Sequence, residues 1–358
     1  MAKTIRVGVT HGDYNGVGYD VISKSLADEQ MLELVTPVVF GNSDLLRRAA
    51  AEGGVQLSKI QDVASAAQAR EGVINVVEVI PGNVTLIPGH PDKASGAAAV
   101  KALEAAVEAI KAGDIDVMVT APICKEAVQS NEFHFPGHTE YLNARAGEEY
   151  KALMILFAGR LRVALVTTHV PLHELSSHIT QESVFDHISR LDSSLRKDFG
   201  VDRPKIAVLG LNPHCGDGGL IGKEEGTAII PAIKQAEEKG ILAFGPYSAD
   251  AFFATPALYH RFDGVLAMYH DQGLAPFKAL AGHNGVNFTA GLPFVRTSPD
   301  HGTANDLAWT GEAEADSMRQ AIYEAVDIFR TRSRYMRATR NPLRKAPVAK
   351  EKTSKPEN

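Results

Sequence analysis

No feature of this chain constrains its fold more than the rhythm of its apolar runs. "IRVGVT" (Ile5–Thr10), "PVVFG" (Pro37–Gly41), "VMVT" (Val117–Thr120), "VALVTT" (Val163–Thr168), "KIAVLG" (Lys205–Gly210) and "GVLAMY" (Gly264–Tyr269) are short and lack strict alternation. Strands of that kind are covered on both faces of a sheet. Helical patterns fill the intervals. The clearest is "GAAAVKALEAAVEAIKAG", where Val100, Leu103, Val107 and Ile110 recur at spacings of 3, 4 and 3 before Gly113. Others fall near Glu182–Phe199, Lys223–Lys239 and Glu312–Arg330. Such alternation predicts an α/β fold with a largely parallel sheet.

In open α/β sheets, ligands bind beyond the carboxyl ends of the strands. The residues just past each run therefore matter most. After Thr10 comes "HGDYNGVG", after Thr120 "APICK", after Thr168 His169, after Gly210 "LNPHCGDGG" and after Tyr269 "HDQG". Histidines recur at these ends. His169, His214 and His270 converging there would make a divalent-metal site with open positions for substrate. Their separations of 45 and 56 residues match no local ligand spacing. A lone histidine is more often a satisfied or surface residue, so pattern alone leaves both readings open. Asp271 is placed to orient a ligand imidazole.

Three further stretches carry candidate groups. "HGDYNGVGYDV" (His11–Val21) has glycines at 12, 16 and 18 but is neither a dinucleotide fingerprint nor a P-loop; on pattern it is a tight βα turn. In "FPGHTEYL" (Phe135–Leu142), Thr139 caps a helix on pattern alone, although His138 and Thr139 together would also suit a phosphate. "GVNFTAGLPFVRTSPDHGTANDLA" (Gly285–Ala308) holds Asn287, Arg296, Asp300 and His301 in a Gly/Pro-rich setting. Arg296 suits bidentate recognition of a carboxylate or phosphate, but a lone arginine is more often one half of a structural ion pair.

Bulk properties narrow the class. With 358 residues, 44% hydrophobic and 22% charged, the chain is long enough for two domains or one large α/β unit. A net charge of −6 without a basic run argues against nucleic acid as partner. Two cysteines, Cys124 and Cys215, make no disulfide framework and fit a reducing compartment. No signal-like or membrane-length apolar segment is found, so a cytoplasmic protein without membrane association is expected. The last stretch, "RKAPVAKEKTSKPEN", is expected to be a solvated, disordered tail.

Taken together, "TAPICK", "FPGHTEYL", "VTTHVPL", "LNPHCGDGGLIGKEE", "GPYSAD", "MYHDQGLAPFK" and "GVNFTAGLPFVRTSPDHGTA" resemble the 4-hydroxythreonine-4-phosphate dehydrogenase family of pyridoxal phosphate biosynthesis. They occur in that family's order over roughly residues 4–335. The resemblance implies a two-domain fold like that of the isocitrate and isopropylmalate dehydrogenases. Residues 1–127 and 276–338 would form a discontinuous cofactor-side domain. Residues 128–275 would carry the metal ligands and dimer contacts, and 339–358 would be tail. It implies NAD or NADP without the usual glycine fingerprint, with Asp300, His301, Gly302, Thr303 and Asn305 facing the cofactor. It implies a divalent metal (Zn, Co, Mg or Mn) on His169, His214 and His270. It also implies a homodimer with a shared active site, His270 coming from the partner chain. Substrate contacts carry over onto His138, Thr139, Lys278, Asn287 and Arg296, and Asp250 matches an active-site position. One departure stands out: where the resemblance implies a first turn reading roughly G-D-P-x-G-[IV]-G-P-E, this chain has "GDYNGVGYD", with Tyr14, Tyr19 and Asp20 instead.

The implied reaction is oxidation of a phosphorylated small molecule, 4-phosphohydroxythreonine, to 2-amino-3-oxo-4-phosphooxybutanoate. That product loses CO₂ to give 3-amino-1-hydroxyacetone phosphate. A metal would favour the alkoxide that expels hydride, and Asp250 or Lys278 would manage protons. Relatives that oxidise 4-phosphothreonate or 4-phosphoerythronate are the nearest alternative. A metal-dependent hydrolase or lyase, or a non-catalytic phosphometabolite-binding protein, are alternatives of other classes.

Overall fold

Every strand of this computed structural model, which describes residues 4–81, 83–130 and 133–341, joins one sheet. In chain order the strands are β1 (Ile5–Thr10), β2 (Val35–Gly41), β3 (Ile60–Val63), β4 (Ile74–Glu78), β5 (Val117–Thr120) and β6 (Leu153–Ala158), then β7 (Leu161–Leu165), β8 (Lys205–Leu209), β9 (Leu242–Tyr247), β10 (Gly264–Ala267), β11 (Val286–Ala290) and β12 (Val295–Pro299). Across the sheet they run β3-β4-β2-β1-β5-β12-β11-β6-β7-β10-β8-β9. The pairings β12–β11, β11–β6 and β6–β7 are antiparallel, and the rest are parallel. The expected α/β class with a mostly parallel sheet is what the chain adopts. An antiparallel insert joins two parallel blocks.

Burial on both faces explains why the apolar runs lack alternation. In β5, Val117 and Val119 pack into one core cluster and Met118 into another. The helix Lys93–Ala112 lies over the Met118 face. It begins three residues before the "GAAAV" pattern because Asp92 and Ser95 form a reciprocal capping box, and it ends on Gly113 at φ +76°. The helix Asp316–Thr339 covers the other face through Met318, Ala321 and Ala325.

The first turn is buried throughout, as a tight βα turn should be. His11 stacks on Tyr19 (ring centroids 5.3 Å apart), and the Trp309 indole donates to the Tyr14 carbonyl. Aromatic packing thus stands where the resemblance implies prolines. Asn15 ties the turn to residues 87–90: its side chain accepts from the Ile87 amide and donates to the His90 carbonyl, and its carbonyl accepts from Gly89. The Val17 amide donates to Thr303, which fixes the 300–305 segment against this turn.

"MYHDQGLAPFK" is not a strand running into a loop. β10 stops at Ala267, and His270 opens a helix, His270–Ala281. In its polar first turn His270 lines a cleft, while Gln272 accepts from the Met268 amide and donates to the Gly210 carbonyl. Its Gly273 packs so closely on Val163 and Leu165 of β7 that an added Cβ would lie 2.8–2.9 Å from them. Of the expected tail, residues 342–358 lie outside the described residues, while 339–341 continue from the last helix.

Candidate active site

A cleft of about 260 Å³ opens where the antiparallel insert meets the two parallel blocks. Its floor is Arg296, on β12, with 2% of its surface exposed. The guanidinium donates to the hydroxyls of Thr120 and Thr289. No carboxylate touches it among the described residues, although the nearby Glu140 acts on it at longer range. Burial pushes its pKa down to about 9, so the side chain is a cation at neutral pH. A buried charge without a partner is costly. Such a group is explained most simply by an anion that arrives.

The walls supply matching donors. His138 and Thr139 sit in the first turn of the helix His138–Ala146, whose N-cap is Gly137. The expectation that Thr139 caps this helix is therefore wrong: it lies inside the first turn, makes no capping bond and lines the cleft. The helix N-terminus points there as well, where unpaired amides favour anions. His138 Nε2 is buried without a partner. Burial first, then Arg296 and Lys125, hold its pKa well below the ordinary value, so the imidazole is neutral. Asn287, on β11, turns an unpartnered Oδ1 inward. Lys278 donates to the Asp300 carbonyl at 2.9 Å and pairs with its carboxylate at 3.2 Å.

His169 and His270 face each other across the mouth, ring centroids 6.3 Å apart. Strand pairing brings them together. β7 and β10 are neighbours, and their ladder continues past both ends through Val166 to Ala267 and Thr167 to Met268. Each imidazole is backed by a carboxylate on its Nδ1 side: His169 by Glu140 at 3.6 Å and His270 by Asp271 at 2.7 Å. The contact with His169 is the main influence holding the Glu140 carboxyl below its ordinary range. Carboxylates behind Nδ1 set the tautomer that offers Nε2 as a ligand. These two residues therefore fit a metal as half of a donor set.

The third histidine is elsewhere. His214 follows β8, on the far side of β10 from β7, and does not line the cleft. His214 to Gly218 all have φ between 45° and 77°. This left-handed run is costly for the three non-glycine residues. The Leu211 and Asn212 amides anchor the loop on Glu225 Oε1. No group of three metal-ligating side chains occurs among the described residues. Nor does Asp250 enter the cleft. Its exposed carboxylate accepts from Ser248 at 2.6 Å; this bond chiefly lowers its pKa, with His214 a lesser influence from nearby. Within one chain, then, His270 joins His169, and His214 and Asp250 stand outside the cleft.

Of the residues expected to meet a cofactor, Asp300, His301 and Gly302 line the cleft, and they also line an adjoining groove of about 340 Å³ shared with Lys278. His301 Nε2 is buried there without a partner. Thr303 and Asn305 line neither cavity; the Thr303 carbonyl serves the first turn. Sequence reading overlooked two cleft residues. Glu140 sits within the quoted "FPGHTEYL", and Lys125 ends "APICK", a strand-end segment that was itself the available signal.

Residues 33–325 match the family described as "Pyridoxal phosphate biosynthetic protein PdxA". A Bacteroides thetaiotaomicron protein named 4-hydroxythreonine-4-phosphate dehydrogenase is 52% identical over 343 residues, covering 95% of this chain and 93% of that one. Its namesake in Geobacter metallireducens is 41% identical, covering 91% and 96%. The crystal structure of 4-hydroxythreonine-4-phosphate dehydrogenase from Klebsiella pneumoniae superposes with a TM-score of 0.79 at 36% identity, over 92% of this chain and 99% of that one. No helix among the described residues is long and apolar enough to cross a membrane.

Proposed function

The chain belongs to the PdxA family, and on that premise we propose that it oxidises 4-phosphohydroxythreonine to 2-amino-3-oxo-4-phosphooxybutanoate, the precursor of 3-amino-1-hydroxyacetone phosphate, in pyridoxal 5'-phosphate biosynthesis. The observation that carries this reading is Arg296, a buried cation with no carboxylate in contact among the described residues, at the bottom of a cleft lined with unpaired donors and acceptors. The substrate's anionic groups match it.

When bound, a nicotinamide cofactor would supply the hydride acceptor, and a divalent cation (Zn, Co, Mg or Mn) the Lewis acidity that favours alkoxide and enolate. The chain's own residues do the rest. Arg296, Thr139 and the helix N-terminus at His138 bind the phosphate, and the neutral His138 donates without adding charge. Asn287 orients the polar end of the substrate. Lys278, held by Asp300, balances negative charge and stands within reach of a proton exchanged at the alcohol. Asp300, His301 and Gly302 form the step from the cleft to the adjoining groove, which supports a nicotinamide end in the former and the remainder of NAD or NADP in the latter. His169 and His270 offer Nε2 atoms to the cation.

The working unit in this reading is a homodimer. His214 and Asp250, outside their own cleft, would complete the cleft of the second copy. Residues 1–127 and 276–338 would act as the cofactor-side domain and 128–275 as the metal and dimer domain.

The test is a side-by-side assay of 4-phosphohydroxythreonine, 4-phosphothreonate and 4-phosphoerythronate with NAD and NADP across the four metals. Reduced nicotinamide should appear fastest with 4-phosphohydroxythreonine. Preference for either sugar acid would reassign the substrate, and no reduction with any of the three would overturn the reading.

A further inference from the structure

One residue of the cleft has no place in the proposed reaction. Lys125 lies just past β5 and reaches across the mouth until its Nζ lies 3.4 Å from His169 Nε2. On the other side of the same ring, Nδ1 faces the Glu140 carboxylate at 3.6 Å. The lysine ammonium only donates, so Nε2 accepts and the ring proton sits on Nδ1, the side of the carboxylate. Nε2 is left with a single lone pair, directed at the lysine ammonium. A metal ligated by His169 needs that same lone pair at about 2.0–2.1 Å. Lysine and metal therefore cannot both hold it.

The surroundings decide where a displaced lysine goes. The cleft already holds the Arg296 and Lys278 cations. Glu140 is its one carboxylate not tied to a cationic lysine, and it backs His169. An ammonium pushed off His169 by a divalent cation gains most from a new anion in the cleft.

We propose that Lys125 is a displaceable cation that occupies the metal-binding atom of His169 in the metal-free enzyme and turns to the anionic ligand once metal enters. Metal and anion then bind interdependently, each favouring the lysine position that the other requires. Lys125 is thus a barrier to metal alone and a contact for the anion. The proposal rests on the proposed function only in taking His169 as a metal ligand. Its test needs neither turnover nor the substrate's identity.

Binding of Co²⁺ to the full-length protein, stripped of metal, is measured by calorimetry with and without inorganic phosphate. Lys125→Met should bind Co²⁺ alone about 10-fold or more tighter than wild type, the scale on which groups around a ligand tune metal affinity. Phosphate should tighten Co²⁺ binding about 5-fold or more in wild type and less than half as much in Lys125→Met. Lys125→Arg keeps the charge and should stay near wild type in Co²⁺ affinity. Equal or weaker Co²⁺ binding by Lys125→Met would overturn the proposal, as would phosphate coupling of wild-type size in that variant. If wild type fails to reduce nicotinamide yet these shifts appear, the assigned reaction fails and the lysine switch stands.

Discussion

Arg296→Met should make the protein more stable and nearly inactive. Burial lowers the guanidinium to about 9, and at about 1.36 kcal/mol per pKa unit the charged form is disfavoured in the folded chain by ~5 kcal/mol. Methionine removes that cost. It also removes three hydrogen bonds to Thr120 and Thr289, about 1 kcal/mol each, and leaves a small void. The balance is a gain of about 1 kcal/mol, or a Tm higher by roughly 1 °C. Function moves the other way. Losing one partner of a buried, hydrogen-bonded charge pair costs about 2–5 kcal/mol, so kcat/KM should fall by roughly 30- to 5,000-fold. Calorimetry with inorganic phosphate separates the two effects. At 100 times its Kd, phosphate should stabilise wild type by about 2.7 kcal/mol and leave the variant unmoved. If instead the variant loses about 3–5 kcal/mol, the penalty for breaking a buried pair, then Arg296 is a structural ion-pair member and the argument for an anion site collapses.

Two more outcomes are expected from the geometry. Asp20 is fully buried, with Oδ2 accepting from the Trp309 amide and Oδ1 unpartnered, and burial pushes its pKa up to about 6. The folded chain thus holds this proton more tightly than the unfolded chain, so stability contributed here is full below about pH 4 and lost as pH rises through about 6. Asp20→Asn should be more stable than wild type near neutrality by up to about 3 kcal/mol, and the gap in urea midpoint should close towards acid; a gap constant with pH would show that Asp20 does not titrate in that range. If two copies share the site as proposed, His169→Ala and His214→Ala should each be inactive, while unfolding and refolding them together should restore roughly a quarter of wild-type activity, because half the dimers are mixed and each mixed dimer regains one intact site. No recovery would place all three imidazoles in one chain.

How much of this was legible in the sequence depended on which way each strand faces. β5 and β10 were readable because both faces are buried and their residues are almost all apolar. β11 and β12 were not, because they turn Asn287, Arg296 and Ser298 into the cleft; polar residues in a Gly/Pro-rich stretch look like loop. The helix at His270 escaped notice for the same reason, with a polar first turn and Pro276 inside it. The residues just past the strand ends did include His169 and His270, since β7 and β10 are neighbours. Position alone could not separate them from His214, which sits in a left-handed backbone run that residue identity does not announce outside glycine. Lys125 was overlooked although it ends a strand-end segment, because an exposed lysine has no pattern of its own; its 3.4 Å approach to His169 is what distinguishes it.

β5 and β6 are consecutive in the chain, yet two strands made from residues 286–299 stand between them. On the ribosome this sets a schedule. Both parallel blocks can begin to form early, but each must wait with an open edge, β5 on one and β6 on the other, until β11 and β12 emerge and close the gap. Exposed edges of that kind invite pairing with other chains. A product cut short before Val295 would carry all three histidines and still lack Arg296. It would present two raw edges to the cell's proteases and chaperones. The floor of the cleft is thus among the last parts made, and its arrival both completes the sheet and certifies that the chain before it was translated.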